Sequence, residues 1–229
     1  MQVKSATQTH PQSPSQTKSR ERIKDHGEVY TNEREVNAML DLVAHQCTDP
    51  EATFLEPACG TGNFLAVILQ RKLTAIYQKH KKIQYNYELN AITAISSIYG
   101  IELLADNVAE CRERLLAIFQ NHYSSHFKNI NPRCIDVARF LLSKNILCGD
   151  ALSLKQKDGT PIVFSEWSML GTDMIRREYV YPDLINKSSE RELPLFSDLG
   201  DDAYIPEPIK EYPPVYFLDI DLSDKEYKK

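Results

Sequence analysis

Three carboxylates, Glu56, Glu102 and Asp150, stand at or just beyond the ends of short apolar runs: Thr53-Phe54-Leu55-Glu56, Ile98-Tyr99-Gly100-Ile101-Glu102 and Asn145-Ile146-Leu147-Cys148-Gly149-Asp150. The first is followed at once by Pro57-Ala58-Cys59-Gly60-Thr61-Gly62-Asn63-Phe64-Leu65, a glycine-rich turn opening an amphipathic segment. Gly60 and Gly62 allow a tight turn and a close backbone approach to a ligand, while a helix starting near Asn63 aims unpaired N–H groups into that turn. The turn lacks the Gly-Lys-Ser/Thr ending that neutralises phosphate and holds magnesium, and an acid precedes it. Phosphate is therefore a poor guest. A ligand carrying an amine or a sulfonium suits the acid.

Positioning such acids takes repeated strand-to-helix units. After Glu102, Val108, Cys111, Leu115, Ile118 and Phe119 recur at helical spacing from Asp106 to Phe119. An acid ending a second parallel strand can accept the protons of both ribose hydroxyls, as in dinucleotide-binding folds. The third run ends in Gly149-Asp150, followed by Ala151-Leu152. Upstream, Gly27-Glu28-Val29-Tyr30-Thr31-Asn32 precedes a helical face of Val36, Met39, Leu40 and Val43, with Thr31 or Asn32 as N-cap and Glu35 completing a capping box. The pattern predicts an α/β fold: a mainly parallel sheet with helices on both faces, and ligand at the carboxyl ends of the strands. Each motif also has a plain reading: a geometric glycine turn, a solvated strand end, a turn dipeptide.

The wording Glu56-Pro57-Ala58-Cys59-Gly60-Thr61-Gly62-Asn63-Phe64 resembles the cofactor loop of the S-adenosylmethionine-dependent DNA methyltransferases that modify adenine at N6, of the restriction-modification type. Four segments in that family's order extend the resemblance from about Gly27 to Leu152. The resemblance implies a Rossmann-like class I methyltransferase fold and a cofactor site of Glu56, Ala58, Gly60, Gly62, Asn63 and Phe64. It also implies that Glu102 holds the ribose, that Leu103 covers one face of the adenine, and that Asp150, with the Ala151 backbone, binds the exocyclic amine. Tyr30 and Thr31 would fold over the methionine moiety; Asn32 stands where the family commonly has proline.

The same family carries an Asn/Asp-Pro-Pro-Tyr/Phe loop after the next strand, where it holds a flipped base. No such tetrapeptide follows Asp150, and the paired prolines Pro213-Pro214 lie in Glu211-Tyr212-Pro213-Pro214-Val215-Tyr216, whose flanking residues do not match. Pro161-Ile162-Val163-Phe164-Ser165-Glu166-Trp167-Ser168 occupies the expected place. From the residues alone, Ile162 to Phe164 reads as the next strand. Trp167 then becomes a candidate to stack on a base and Glu166 a candidate to bond its amine, the alternative being that Trp167 is a packing residue.

A hydrophobic fraction of 42% over 229 residues suits one folded domain, and five cysteines without paired close spacing argue against a disulfide framework or a zinc ribbon. No metal is expected. Residues 1–22, rich in Ser, Gln, Thr and Lys, read as a disordered arm and not a signal peptide. Residues 23–170 read as the cofactor-binding domain and residues 171–229 as an extended C-terminal tail. With no run of about twenty apolar residues, the chain reads as cytoplasmic and not membrane-spanning.

A net charge of −5 is unusual for a DNA-binding protein. Local basic clusters are therefore the candidate phosphate contacts: Lys18, Arg20, Arg22 and Lys24; Lys72, Lys79, His80, Lys81 and Lys82; Arg176 and Arg177. No segment is long enough to form a separate target-recognition domain, so sequence choice would belong to a partner, a specificity or restriction subunit. Two readings follow: a methyltransferase acting on adenine N6 in DNA, or a cofactor-binding but catalytically silent homologue or subunit whose partner supplies the base loop. A small-molecule or RNA methyltransferase is a third, because the glycine loop belongs to a wider fold.

Overall fold

The computed structural model describes residues 31–183 and 207–226. Strands β1 (Phe54–Glu56), β2 (Ile98–Glu102) and β3 (Ile146–Cys148) form a parallel sheet with β2 in the middle. The register sets Glu56 against Gly100 and Glu102 against Cys148, so the carboxyl ends of the three strands share one edge of the sheet. All three acid-ended runs of the sequence are thus strands of one sheet.

The crossovers are helical pairs. Helix α1 (Glu33–Asp41) precedes the sheet, α2 (Asn63–His80) and α3 (Gln84–Ser96) join β1 to β2, and α4 (Ala105–His126) and α5 (Pro132–Asn145) join β2 to β3. Asn32 caps α1, its Oδ1 accepting from Glu35 N at 3.0 Å, and Glu33 and Glu35 favour the positive end of the helix dipole. Of the apolar face expected on α1, Val36 and Leu40 are buried, whereas Met39 and Val43 are exposed. Asn131 caps α5, whose first residue is Pro132, the position where a missing N–H costs nothing.

The helices pack through the main core, which includes Leu65, Leu69 and Leu73 of α2, Ile92 and Ile95 of α3, Leu115 and Phe119 of α4, and Val137 and Leu141 of α5. Ile98 and Ile146 face this core. The opposite face of the sheet, carrying Tyr99, Ile101 and Leu147, meets Ile162, Phe164 and Tyr181 in a second, smaller core. The expectation of helices on both faces is therefore met on one face among the described residues. A β-hairpin lies against the other, because Ile162 and Phe164 are apolar enough to cover Ile101 without a helix.

That hairpin corrects two expectations. Strand β4 (Val163–Leu170) pairs antiparallel over its whole length with β5 (Asp173–Val180), instead of adding a parallel strand to the sheet. The boundary expected between residues 170 and 171 falls in the turn of this hairpin. Short strands β6 (Lys210–Glu211) and β7 (Val215–Tyr216) add to β5, and a 3-10 helix, Phe217–Leu222, leads into α6 (Ser223–Glu226). Phe217, Leu218 and Ile220 are buried in the main core. The described parts of the last third are packed, not extended; the expected arm at residues 1–22 lies outside the described residues.

Candidate functional site

At the carboxyl ends of the three strands lies a cavity of about 570 Å³, lined by residues that include Glu56, Glu102, Asp150, Asn63, Phe64 and Leu103. Its size falls within the roughly 300–1,000 Å³ usual for small-molecule sites. Of the residues expected from the sequence, it brings together Thr31, Glu56, Ala58, Gly60, Asn63, Phe64, Glu102, Leu103, Asp150 and Ala151. Tyr30 lies outside the described residues.

Each acid is held differently. The Glu102 carboxylate accepts from Gly60 N at 3.0 Å, from Leu104 N at 2.9 Å and from Asn107 Nδ2 at 3.4 Å, which ties the first glycine loop to the start of α4. Asp150 accepts from Leu152 N at 2.9 Å, and this backbone bond, with help from Ser153, holds its carboxyl below the ordinary aspartate range. Glu56 is half-buried without a cation facing it among the described residues, and burial pushes its pKa up. A desolvated carboxylate of this kind is poised for a cationic ligand.

The pH dependence follows from the sign of that shift. A ligand bearing an amine or sulfonium binds the ionised form, so its affinity is full above the raised Glu56 pKa and falls as pH drops through it. The loss is expected to begin at a higher pH than for an ordinary glutamate, at about 4.5. The free protein conversely loses a little stability as pH rises through the same window, since the native state keeps that proton longer. Calorimetric titration against pH with a sulfonium-bearing ligand checks the affinity profile, with Glu56→Gln expected to be flat where wild type declines.

Among the described residues, Gly62 is the expected cofactor-binding residue that does not line the cavity. It caps α2 in the left-handed region at φ +82°, and a Cβ there would lie 2.6 Å from Cys111 Sγ. Its role is close packing of the loop on α4. Gly62→Ala is expected to destabilise the fold by about 2–4 kcal/mol, combining left-handed strain with overpacking. Denaturant midpoints check this, and adding Cys111→Ala should recover only the overpacking part.

Cys59 lines the cavity but is buried, and its thiol is held high by a hydrogen bond with Cys111 and by desolvation, so it is a filler and not a nucleophile. A Cβ on Gly100 would lie 2.8 Å from Cys59 Sγ, which shows how closely the loop sits on β2. Asn107, Leu104, Gly149 and Leu152 also line the cavity and were not expected from the sequence. Asn107 had a signal: a polar residue four before Cys111 falls on the inward face of α4. Leu103 and Leu152 keep apolar side chains 57% and 95% exposed at the cavity, a surface suited to the flat face of a base.

Glu166 and Trp167 do not line this cavity. Trp167 Nε1 donates to Asn145 Oδ1 at 2.8 Å, and Asn145 in turn donates to the carbonyls of Ser96 and Ile98, at the amino ends of the strands. β4 starts beside Gly149, where Ile162 packs, and runs toward Asn145, so it carries Trp167 away from the carboxyl ends and packs it against Phe140. Glu166 pairs with Arg177 at 3.4 Å. No base-binding role is assigned to either.

The basic clusters also change meaning. Lys72 is fully buried, donating to the carbonyls of Pro50 and Ala52 and to Ser97 Oγ, and burial brings its pKa down to about 8. Arg176 is buried and paired with Glu178 and Asp224, and Arg177 is paired with Glu211 as well as Glu166. Lys79, Lys81 and Lys82 remain exposed, but they lie at or just beyond the far end of the 18-residue α2 from Asn63. That is about 25 Å from the cavity by helical rise. The cluster Lys18 to Lys24 lies outside the described residues. Among the described residues no group of His, Cys, Asp and Glu side chains could hold a metal ion, and no helix is long and apolar enough to cross a membrane.

A family model described as the DNA-methyltransferase domain of MmeI matches residues 16–171, about two thirds of the chain. No curated protein and no solved structure matches it.

Proposed function

Given that the chain belongs to the MmeI DNA-methyltransferase domain family, we propose that its cavity binds S-adenosylmethionine and that the protein methylates adenine at N6 in DNA. The observation that carries this reading is the meeting at one cavity of three acids that stand at or just beyond the ends of three parallel strands. The residues present fit the cofactor. Glu56, half-buried and without a partner cation among the described residues, faces the positively charged methionine end; Glu102 accepts from the ribose hydroxyls; Leu103 covers the adenine; Asp150 and the Ala151 backbone take its exocyclic amine. Phe64, Ala58, Gly60 and Asn63 form the wall beneath, with Thr31 beside the methionine end.

When bound, the cofactor supplies an electrophilic methyl group on sulfur for in-line transfer to an amine. The protein's contribution is orientation and exclusion of water, which require no metal. The proposed fold is the Rossmann-like class I arrangement, and the setting is cytoplasmic restriction-modification.

A specific observation supports a second reading, in which the chain binds cofactor but takes its base loop and sequence recognition from a partner. Glu166 and Trp167 lie away from the cavity, and among the described residues β1 is an edge strand with Leu55 41% exposed, so a strand from another subunit has a place to pair.

The test is transfer of a labelled methyl group from S-adenosylmethionine to unmethylated DNA by the purified full chain. Label in N6-methyladenine supports the first reading. Binding without transfer supports the second, and label in another base contradicts the adenine assignment.

A further inference from the structure

Two walls of the cavity that are distant in sequence are joined by one side chain. Asn63, at the first turn of α2, donates from Nδ2 to the carbonyl of Thr31 at 3.2 Å. The orientation of that amide is fixed from the other side: Arg114 of α4 donates from Nη1 to Asn63 Oδ1 at 2.6 Å and to the carbonyl of Thr61 at 3.4 Å. Thr31 and Asn63 both line the cavity. Asn32, the next residue, caps α1, so a pull on Thr31 is a pull on the start of that helix.

An amide oxygen can accept from a guanidinium only if its NH₂ group points the other way, and here the other way is Thr31. Resting on the reading of this cavity as the cofactor site, we infer that Arg114 is a positioning residue. Through Asn63, it sets how firmly the Thr31 backbone is held in the cavity wall beside the bound cofactor. Arg114 does not line the cavity, so its effect is on the position of that wall and not on contact.

Asn63→Asp separates the two halves of the relay, because a carboxylate still accepts from Arg114 but cannot donate to Thr31. The experiment uses the full chain with Arg114→Met, Asn63→Asp, the double variant and Arg114→Lys. Two rates are read: amide hydrogen exchange from Thr31 to Val36 in the free protein, and dissociation of S-adenosylmethionine by stopped flow. Each of the first two variants should exchange and dissociate about threefold to tenfold faster. The double variant should go no further than the faster single, and Arg114→Lys should restore part of the loss.

The relay is overturned if Arg114→Met lowers the melting temperature while leaving both rates at wild-type values, or if Asn63→Asp changes neither. If wild type binds no S-adenosylmethionine, the cofactor reading fails, and exchange in the free protein still decides the relay.

Discussion

Glu102→Ala is expected to weaken S-adenosylmethionine binding roughly 100-fold or more, the largest loss from any single change in the cavity. Two effects combine. The carboxylate is the proposed acceptor for both ribose hydroxyls, and charge-assisted hydrogen bonds contribute about 1.5–3 kcal/mol each. It also bonds Gly60 N, Leu104 N and Asn107 Nδ2, so its loss frees the glycine loop that forms the floor of the site. Glu102→Gln should not rescue binding, because at least one of the two carboxylate oxygens facing backbone N–H groups would become an N–H donor itself. Calorimetric titration of the variants, with circular dichroism to establish that they fold, is the check. Wild-type affinity in Glu102→Gln would show that the carboxylate charge has no part in the site.

Arg176→Met is expected to destabilise the protein by about 3–5 kcal/mol, or roughly 10 °C in melting temperature. Arg176 is 2% exposed and donates to Ser165 Oγ at 3.0 Å, Asp224 at 2.6 Å and Glu178 at 2.6 Å. Its guanidinium also lies over the rings of Trp167 and Tyr212. One buried cation thus fastens β4, β5, the segment at Tyr212 and the last helix together, and removing it leaves Glu178 with only the Tyr212 hydroxyl and Asp224 with only Lys144. An extended tail would not notice the substitution. An unchanged melting temperature would mean that residues 171–183 and 207–226 contribute little to the folded unit.

What the sequence disclosed and what it hid divide along the reach of the interactions. The runs ending in Glu56, Glu102 and Asp150 were legible because a strand, a turn and a following helix are specified by neighbours within about twenty residues. Asn32 declared itself as a cap for the same reason. Trp167 was hidden because Ile162-Val163-Phe164 reads the same as a parallel strand or as one arm of a hairpin, and the choice rests on eight pairings with β5. Arg176 and Lys72 were hidden because a cation reads as surface until its acceptors are known, and those of Lys72 are carbonyls twenty and more residues away. Gly62 was legible as a required glycine, but not as one required by Cys111. Glu56 disclosed its chemistry, but its raised pKa depends on burial that only the folded loop supplies.

The central claim is that this cavity binds S-adenosylmethionine through the acids of its strands, and its most direct test is calorimetric titration of the purified full chain with that molecule. The account predicts one-to-one binding that weakens in both Glu56→Ala and Glu102→Ala while both variants remain folded. Absence of binding by wild type, or unchanged affinity in the two variants, would contradict it.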